Sequence, residues 1–237
     1  MSKNRTKIFR FSQTNYQRML DKESEIISLV QKGELDQCLH MYTCNNNTLV
    51  LPSGKKWQSS PEVIEALNEK GWALLQRRSG GAPVPQTPRL INLSHIYAWA
   101  HEQPYSVSLA YRNFCKVLGL FFNSYQIETA FHATPFSYCD GTYNVNINGK
   151  KVVGTAQRVL QKKGGQKIVL AQACILVDEN LEQIIEPVNL INEMHGLQDK
   201  VLASSHTTLF EHIAIKPSID QLYNRLLQAF VDSELYT

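Results

Sequence analysis

The 237 residues contain no apolar run approaching the roughly eighteen that a membrane-spanning helix needs. The first residues, Met1-Ser2-Lys3-Asn4-Arg5-Thr6-Lys7, are basic but have no apolar core behind them, so they do not read as a secretory leader. Cysteine is sparse: five residues, at 38, 44, 115, 139 and 174, an odd number whose spacings match no zinc pattern. A chain of this size needs no disulfide staples, and free thiols fit a cytoplasmic setting. Charge is also low. Only 19% of residues are charged and the net charge is +3, which excludes the strongly basic footprint of a nucleic-acid binder. There is no internal repeat and no low-complexity tract, which counts against a solenoid, and the basic start reads as a solvated, partly mobile N-terminus.

What is present suits one globular domain, 43% hydrophobic. Residues 16–35 carry Met19, Ile26, Ile27 and Val30 near helical spacing, with Gly33 as a breaker near the end. Residues 38–42 and 48–51 are strand-like, separated by the turn cluster Asn45-Asn46-Asn47. Ser60-Pro61-Glu62 opens a helix that Gly71 closes. Residues 72–75 read as a strand feeding the Arg77-Arg78-Ser79-Gly80-Gly81 loop, where Pro83, Pro85 and Pro88 prevent a helix. Strands are expected at 91–96, 125–132 and 167–177, and a helix at 107–122. From Leu181 onward the chain reads as mostly helical, ending with 219–235. The sum is α/β (α+β): a mixed sheet flanked by helices.

The densest chemistry lies in Ser137-Tyr138-Cys139-Asp140-Gly141-Thr142-Tyr143-Asn144, which runs into Val145-Asn146-Ile147-Asn148-Gly149-Lys150-Lys151-Val152-Val153-Gly154-Thr155-Ala156. Asn148-Gly149 is a strong hairpin signal, because a type I′ turn needs φ > 0 at both central residues. The hairpin brings the amine of a lysine toward the turn that carries Cys139. A thiol is a nucleophile only as thiolate, and a nearby cation favours that form. Taken alone, Cys139 is a loop cysteine and the lysine pair is a solvated hairpin decoration. On a strand only one of Lys150 and Lys151 can face such a site. Gly154 by itself reads as a β-bulge. His95 and His132 sit in no recognisable signature, and neither is assigned a role.

These two blocks, Arg77-Arg78-Ser79-Gly80-Gly81 with Leu90-Ile91-Asn92-Leu93-Ser94 and the Ser137–Arg158 stretch, carry a resemblance. Over roughly residues 37–190 the chain resembles the lipoate-protein ligase A / octanoyltransferase family of the biotin/lipoate-protein-ligase superfamily. Within it, Ser-Tyr-Cys-x-Gly-x-Tyr is more like the cysteine-dependent octanoyl and lipoyl transferases than the ATP-dependent ligases. The resemblance implies a single catalytic domain over 1–237, with 1–35 as an N-terminal helical extension and 190–237 as C-terminal helices packed on it. It implies Cys139 as the nucleophile and Lys151, in a Gly-x-Lys-x-x-Gly setting, as its partner. Lys151 would act either as an ammonium stabilising the thiolate and oxyanion or as a neutral amine taking a proton. Arg78, Ser79, Gly80 and Gly81, with Gly154, Thr155 and Ala156 opposite, would border the acyl slot.

The implied reaction takes an octanoyl or lipoyl group from acyl carrier protein or a lipoyl protein. It passes the group to a lysine of a lipoyl-domain protein or glycine-cleavage H-like protein. No cofactor, metal, nucleic acid or membrane enters this scheme, and a cytoplasmic monomer is expected. Acidic partners would meet a basic rim formed by Lys55-Lys56, Arg77-Arg78, Lys150-Lys151, Lys162-Lys163 and Lys167. The alternatives are an ATP-dependent lipoate-protein ligase and a non-catalytic binder of lipoyl proteins or acyl groups. Three features count against the ligase: Ala82-Pro83-Val84-Pro85-Gln86 replaces a Gly-Val-Tyr-His-Asp-like segment, Asn144 stands where the family carries a magnesium-binding Asp, and the chain is short for the ligases' additional C-terminal domain. The transferases also tend to carry Asp at the Asn144 position.

Overall fold

A computed structural model describes residues 5–78, 80–99, 104–162 and 164–236. Its main sheet contains seven strands in the order β1-β2-β6-β10-β9-β8-β7. These are β1 (Thr6–Thr14), β2 (Gln37–Cys44), β6 (Leu90–Ala98), β7 (Ala130–Phe131), β8 (Val145–Ile147), β9 (Lys150–Gln161) and β10 (Lys167–Leu176). Strands β1 and β2 run parallel; the other pairings are antiparallel. A second sheet of three strands, β3 (Thr48–Leu51), β4 (Ala73–Gln76) and β5 (Val84–Gln86), has the order β4-β3-β5. The helices are α1 (Tyr16–Lys32), α2 (Pro61–Glu69), α3 (Val107–Asn123), α4 (Leu181–Met194) and α5 (Ile219–Asp232).

Local sequence explains most helix ends. Asn15 caps α1 by accepting from the Arg18 N–H, and Gly33 ends it in the left-handed region with φ 73°. Ser60 caps α2 with Pro61 behind it. Ser218 and Gln221 form a capping box on α5.

The period-2 alternation of the central strands divides the core. Val169, Ala171, Ala173 and Ile175 of β10, with Ile91 and Leu93 of β6, pack under Phe114, Phe121 and Phe122 of α3 and Leu226 and Phe230 of α5. The intervening residues face the other way. Ile168 and Leu170 meet Ile26, Ile27 and Val30 of α1, while Leu176 joins Ile184 and Val188 of α4. Between α1 and α4 that second face is not filled, and there the cavity lies.

Several expectations change. Residues 6–14, placed in a helical extension, form an edge strand paired with β2, and α1 packs directly on the sheet. The strand expected over 125–132 shrinks to Ala130–Phe131, because Gln126 turns the chain with φ 60° just after α3. Pro85 sits in the edge strand β5, a place where proline's missing N–H costs no ladder bond. The helical stretch after 181 is interrupted: residues 195–218 hold only two short 3₁₀ turns, at Ala203–Ser205 and Leu209–Glu211.

Candidate functional site

The hairpin between β8 and β9 forms at Asn148-Gly149, whose φ values are 50° and 75°. Its ladder holds a bulge that the sequence placed elsewhere. Asn146 pairs with Lys151 and Val145 with Val153, leaving Val152 extra. Gly154 lies in regular pairing opposite Cys174. The bulge shifts the strand's parity, so Lys151 and Gly154 come to the same side. A Cβ on Gly154 would stand 3.3 Å from both Cε and Nζ of Lys151. Glycine is required there to leave the amine room.

Lys150 is exposed, whereas Lys151 is 0% exposed. Burying an ammonium costs several kcal/mol unless its hydrogens are satisfied. Here Nζ donates to the carbonyl oxygens of Tyr138 and, at 3.2 Å, Cys139, and it lies 4.3 Å from the centroid of the Tyr138 ring. Among the described residues no carboxylate pairs with it. Burial lowers the Lys151 pKa from its usual value, opposed by the neighbouring Cys139, Cys174 and Asp140.

Cys139 occupies a tight turn with φ 46°, a left-handed conformation uncommon outside glycine. The turn is held from several sides. The Asn144 N–H donates to Gly141 O at 3.0 Å and its side-chain amide reaches Cys139 O at 3.5 Å. Asp140 turns back to accept from the Thr134 N–H at 2.5 Å. The glycine loop approaches from across the cavity: a Cβ on Gly81, whose φ is 111°, would meet Cys139 Sγ at 3.4 Å. Arg77 fastens that loop by donating to Gly80 O (3.0 Å), Ala82 O (2.8 Å) and Val50 O (3.0 Å).

Cys139, Lys151 and the glycine loop border one cavity of about 470 Å³. Its volume falls in the usual range for small-molecule pockets. Along β10 and β6 its wall is polar. Glu23 of α1, 9% exposed, accepts from Ser94 Oγ and Gln172 Nε2, each at 2.8 Å. Burial pushes the Glu23 carboxyl up from its ordinary pKa. Cys174 also lines the cavity, and burial pushes its thiol up to about 12.

Residues 15–231 match the model of the lipoyl protein ligase A/B catalytic domain. The chain belongs to that family. It is 35% identical over 149 residues to an uncharacterized protein of Cupriavidus necator, a match covering 58% of this chain and 59% of that one. To the octanoyl-GcvH:protein N-octanoyltransferase of Geobacillus kaustophilus it is 24% identical over 225 residues, covering 91% of this chain and 77% of the relative. The fold superposes on lipoate-protein ligase A bound with ATP with a TM-score of 0.74 at 15% identity, over 97% of this chain and 85% of that one.

Gly80, Gly81, Gly154, Thr155 and Ala156 all line the cavity, and Arg78 lies exposed at its edge. Ser79 and Lys163 lie outside the described residues. The arginine that organises the glycine loop is Arg77, not Arg78. Arg77 and Lys151 turn inward, which removes both from the expected basic rim. Cys38 and Cys115 are buried, and Cys174 is partly exposed. The His132 ring is exposed, with Nδ1 against the neighbouring Ala133 carbonyl, and His95 is enclosed by Tyr97, Phe230 and Tyr236 with Nε2 on Gln37; among the described residues neither pairs with Cys139. Glu23, Ser94 and Gln172 were missed, because only the packing of α1 on β6 and β10 brings them together.

Proposed function

We propose that this protein is an acyltransferase that carries an octanoyl or lipoyl group on Cys139. The observation that supports this reading is the shared cavity: a thiol held in a strained turn, a buried amine and a glycine loop border one space. Cys139 Sγ attacks the carbonyl carbon of a donor-protein thioester. The donor thiol leaves, taking a proton, and a new thioester stands on Cys139. The ε-amine of an acceptor lysine then attacks that carbonyl, loses a proton and forms the amide, and the Cys139 thiol returns. The donor is acyl carrier protein, whose thioester breaks as described, or a lipoyl protein, in which the amide to the donor lysine breaks and that amine leaves with the proton, an exchange of one amide for another; the acceptor is a lipoyl-domain or glycine-cleavage H-like protein.

Lys151 spends two donor positions on the Tyr138 and Cys139 carbonyls, and as an ammonium it keeps a third. Gly154 leaves space beside that nitrogen for the oxygen of the bound acyl group. We assign Lys151 the stabilisation of the oxyanion that forms there. Arg78, Gly80, Gly81, Thr155 and Ala156 would border the chain, with Ser79 in the same loop.

The donor thioester already stores the free energy for transfer, so nucleotide adds nothing. The test mixes the protein with octanoyl-carrier protein and a lipoyl-accepting domain, without ATP and with chelator. The expected result is an octanoyl adduct on the Cys139 peptide by mass spectrometry, followed by acceptor modification. Absence of the adduct, together with lipoate-dependent pyrophosphate release from ATP, would overturn the proposal in favour of a ligase.

A further inference from the structure

Residues 195–218 have little regular structure, yet His206 within them is 1% exposed. Its ring stacks on that of Tyr138, with centroids 4.9 Å apart and planes 15° apart. Nδ1 lies 2.9 Å from Leu202 O, a contact that needs a hydrogen on Nδ1. Nε2 lies 3.3 Å from the Tyr138 backbone N–H, a contact that needs a lone pair on Nε2. One neutral tautomer satisfies both. The backbone of the same segment holds the other half of the site. His206 forms a parallel bridge with Lys151, and the Thr207 N–H donates to Lys151 O at 2.9 Å.

His206 thus touches both partners from behind, the peptide preceding Cys139 through its ring and Lys151 through its backbone. It does not line the cavity. The left-handed turn at Cys139, with φ 46°, is strained and persists only where surrounding bonds determine it. We infer that His206 is a positioning residue: its Nε2 holds the Tyr138 peptide so that the Tyr138 and Cys139 carbonyls meet Lys151 and the thiol faces the cavity. The ionisable groups facing the ring are Lys151 of β9 and Tyr138. Burial and the Lys151 charge hold the His206 pKa down to about 4, so the accepting lone pair is present at neutral pH.

The inference rests on the reading of Cys139 as the acyl carrier, but its test does not require acyl transfer. His206→Asn keeps a side-chain donor at the Nδ1 position for Leu202 and is too short to reach the Tyr138 N–H. His206→Gln places an oxygen near Nε2 and restores the acceptor. The rate of Cys139 alkylation by iodoacetamide, resolved by peptide mass spectrometry on protein with native circular dichroism, reads the thiol's surroundings directly. Release of the turn takes the thiol out of its place beside Lys151 and the glycine loop, so the Asn variant should slow alkylation about tenfold. The Gln variant should stay within about threefold of the wild type, and octanoyl transfer should show the same order in kcat with KM for the acceptor little changed. Equal alkylation rates in the two variants, both folded, would overturn the positioning role. So would a folded Asn variant with wild-type alkylation. If Asn prevents folding, a Gln variant that folds but alkylates tenfold slower would likewise overturn it. Wild-type and Gln protein that alkylate alike but transfer no octanoyl group would leave the geometry standing and remove the acyltransferase reading instead.

Discussion

The two faces of the seven-stranded sheet are built from the same strands and have opposite characters. On one, alternate residues of β6 and β10 meet α3 and α5 in a close-packed apolar layer, where Phe114, Phe121 and Phe122 are fully buried. On the other, the residues between them include Asn92, Ser94, Gln172 and Cys174, and the packing stops short to leave the cavity. A strand's period of two lets one sequence serve both demands. One face supplies cohesion through its close-packed apolar side chains. The other, bounded by α1, the glycine loop and the thiol turn, gives up burial to hold Lys151 and Glu23 away from water. Changes on the two faces should therefore separate stability from activity.

The largest separation is expected at the thiol. Cys139→Ser should lower octanoyl transfer by roughly 10³-fold or more, while the thermal midpoint shifts little, since a partly exposed turn residue contributes little packing. Near-normal turnover would remove the thioester route. Next, Lys151→Ala should cost about 10²-fold, against a change within about threefold for Lys150→Ala, because the bulge turns only one of the pair inward. Similar losses in both would show that the amine acts through general charge and not position. The apolar face should respond the opposite way. Phe121→Ala should destabilise by about 3–5 kcal/mol in urea unfolding, with kcat per folded molecule unchanged. A proportional fall in kcat would mean that the two faces are coupled.

A smaller effect is expected at Gly154→Ala, whose new methyl would crowd Lys151 at 3.3 Å. Transfer should drop about tenfold with stability nearly preserved, and rates equal to wild type would show that the amine shifts without consequence. The smallest effect is a pH dependence. Burial lowers His40 and His206 to about 4 and His95 to about 3, below the usual 6.5. The unfolded chain then binds protons that the native chain refuses. The contribution of these groups is complete above pH 6.5 and is lost as pH falls from there toward 3. His95→Gln should flatten the fall of the urea midpoint between pH 6.5 and 4.5; an unchanged slope would assign the acid sensitivity to other groups.

Much of this was legible in the residues themselves because it depends on neighbours in sequence. Asn148-Gly149 dictates a tight hairpin, Ser60-Pro61 starts a helix, and residues 167–177 read as a strand. The motifs around Gly80-Gly81 and Cys139 pointed to the family and to the part of the cavity's border that Gly80, Gly81, Cys139, Lys151 and Gly154 form. Harder to read were features fixed by sequence-distant partners. The N-terminal strand β1 has an exposed pattern that looks like no strand until β2 lies beside it. Arg77 is distinguished from Arg78 only by the carbonyls of Val50, Gly80 and Ala82 that surround it.

By itself, then, the sequence determined the central strands, most of the helices, the ends of α1 and α2 and the pairing of a thiol turn with a lysine hairpin, since each is decided within a few residues by backbone sterics and local hydrogen bonds. Tertiary structure alone decided where the lysine points, which arginine holds the glycine loop, and that Glu23, Ser94 and Gln172 share one buried network. It also decided that a histidine more than fifty positions beyond Lys151 stands behind both halves of the site. The physical reason is that burial and hydrogen-bond satisfaction are properties of the packed neighbourhood, and a one-residue bulge is enough to reverse which side chain meets it.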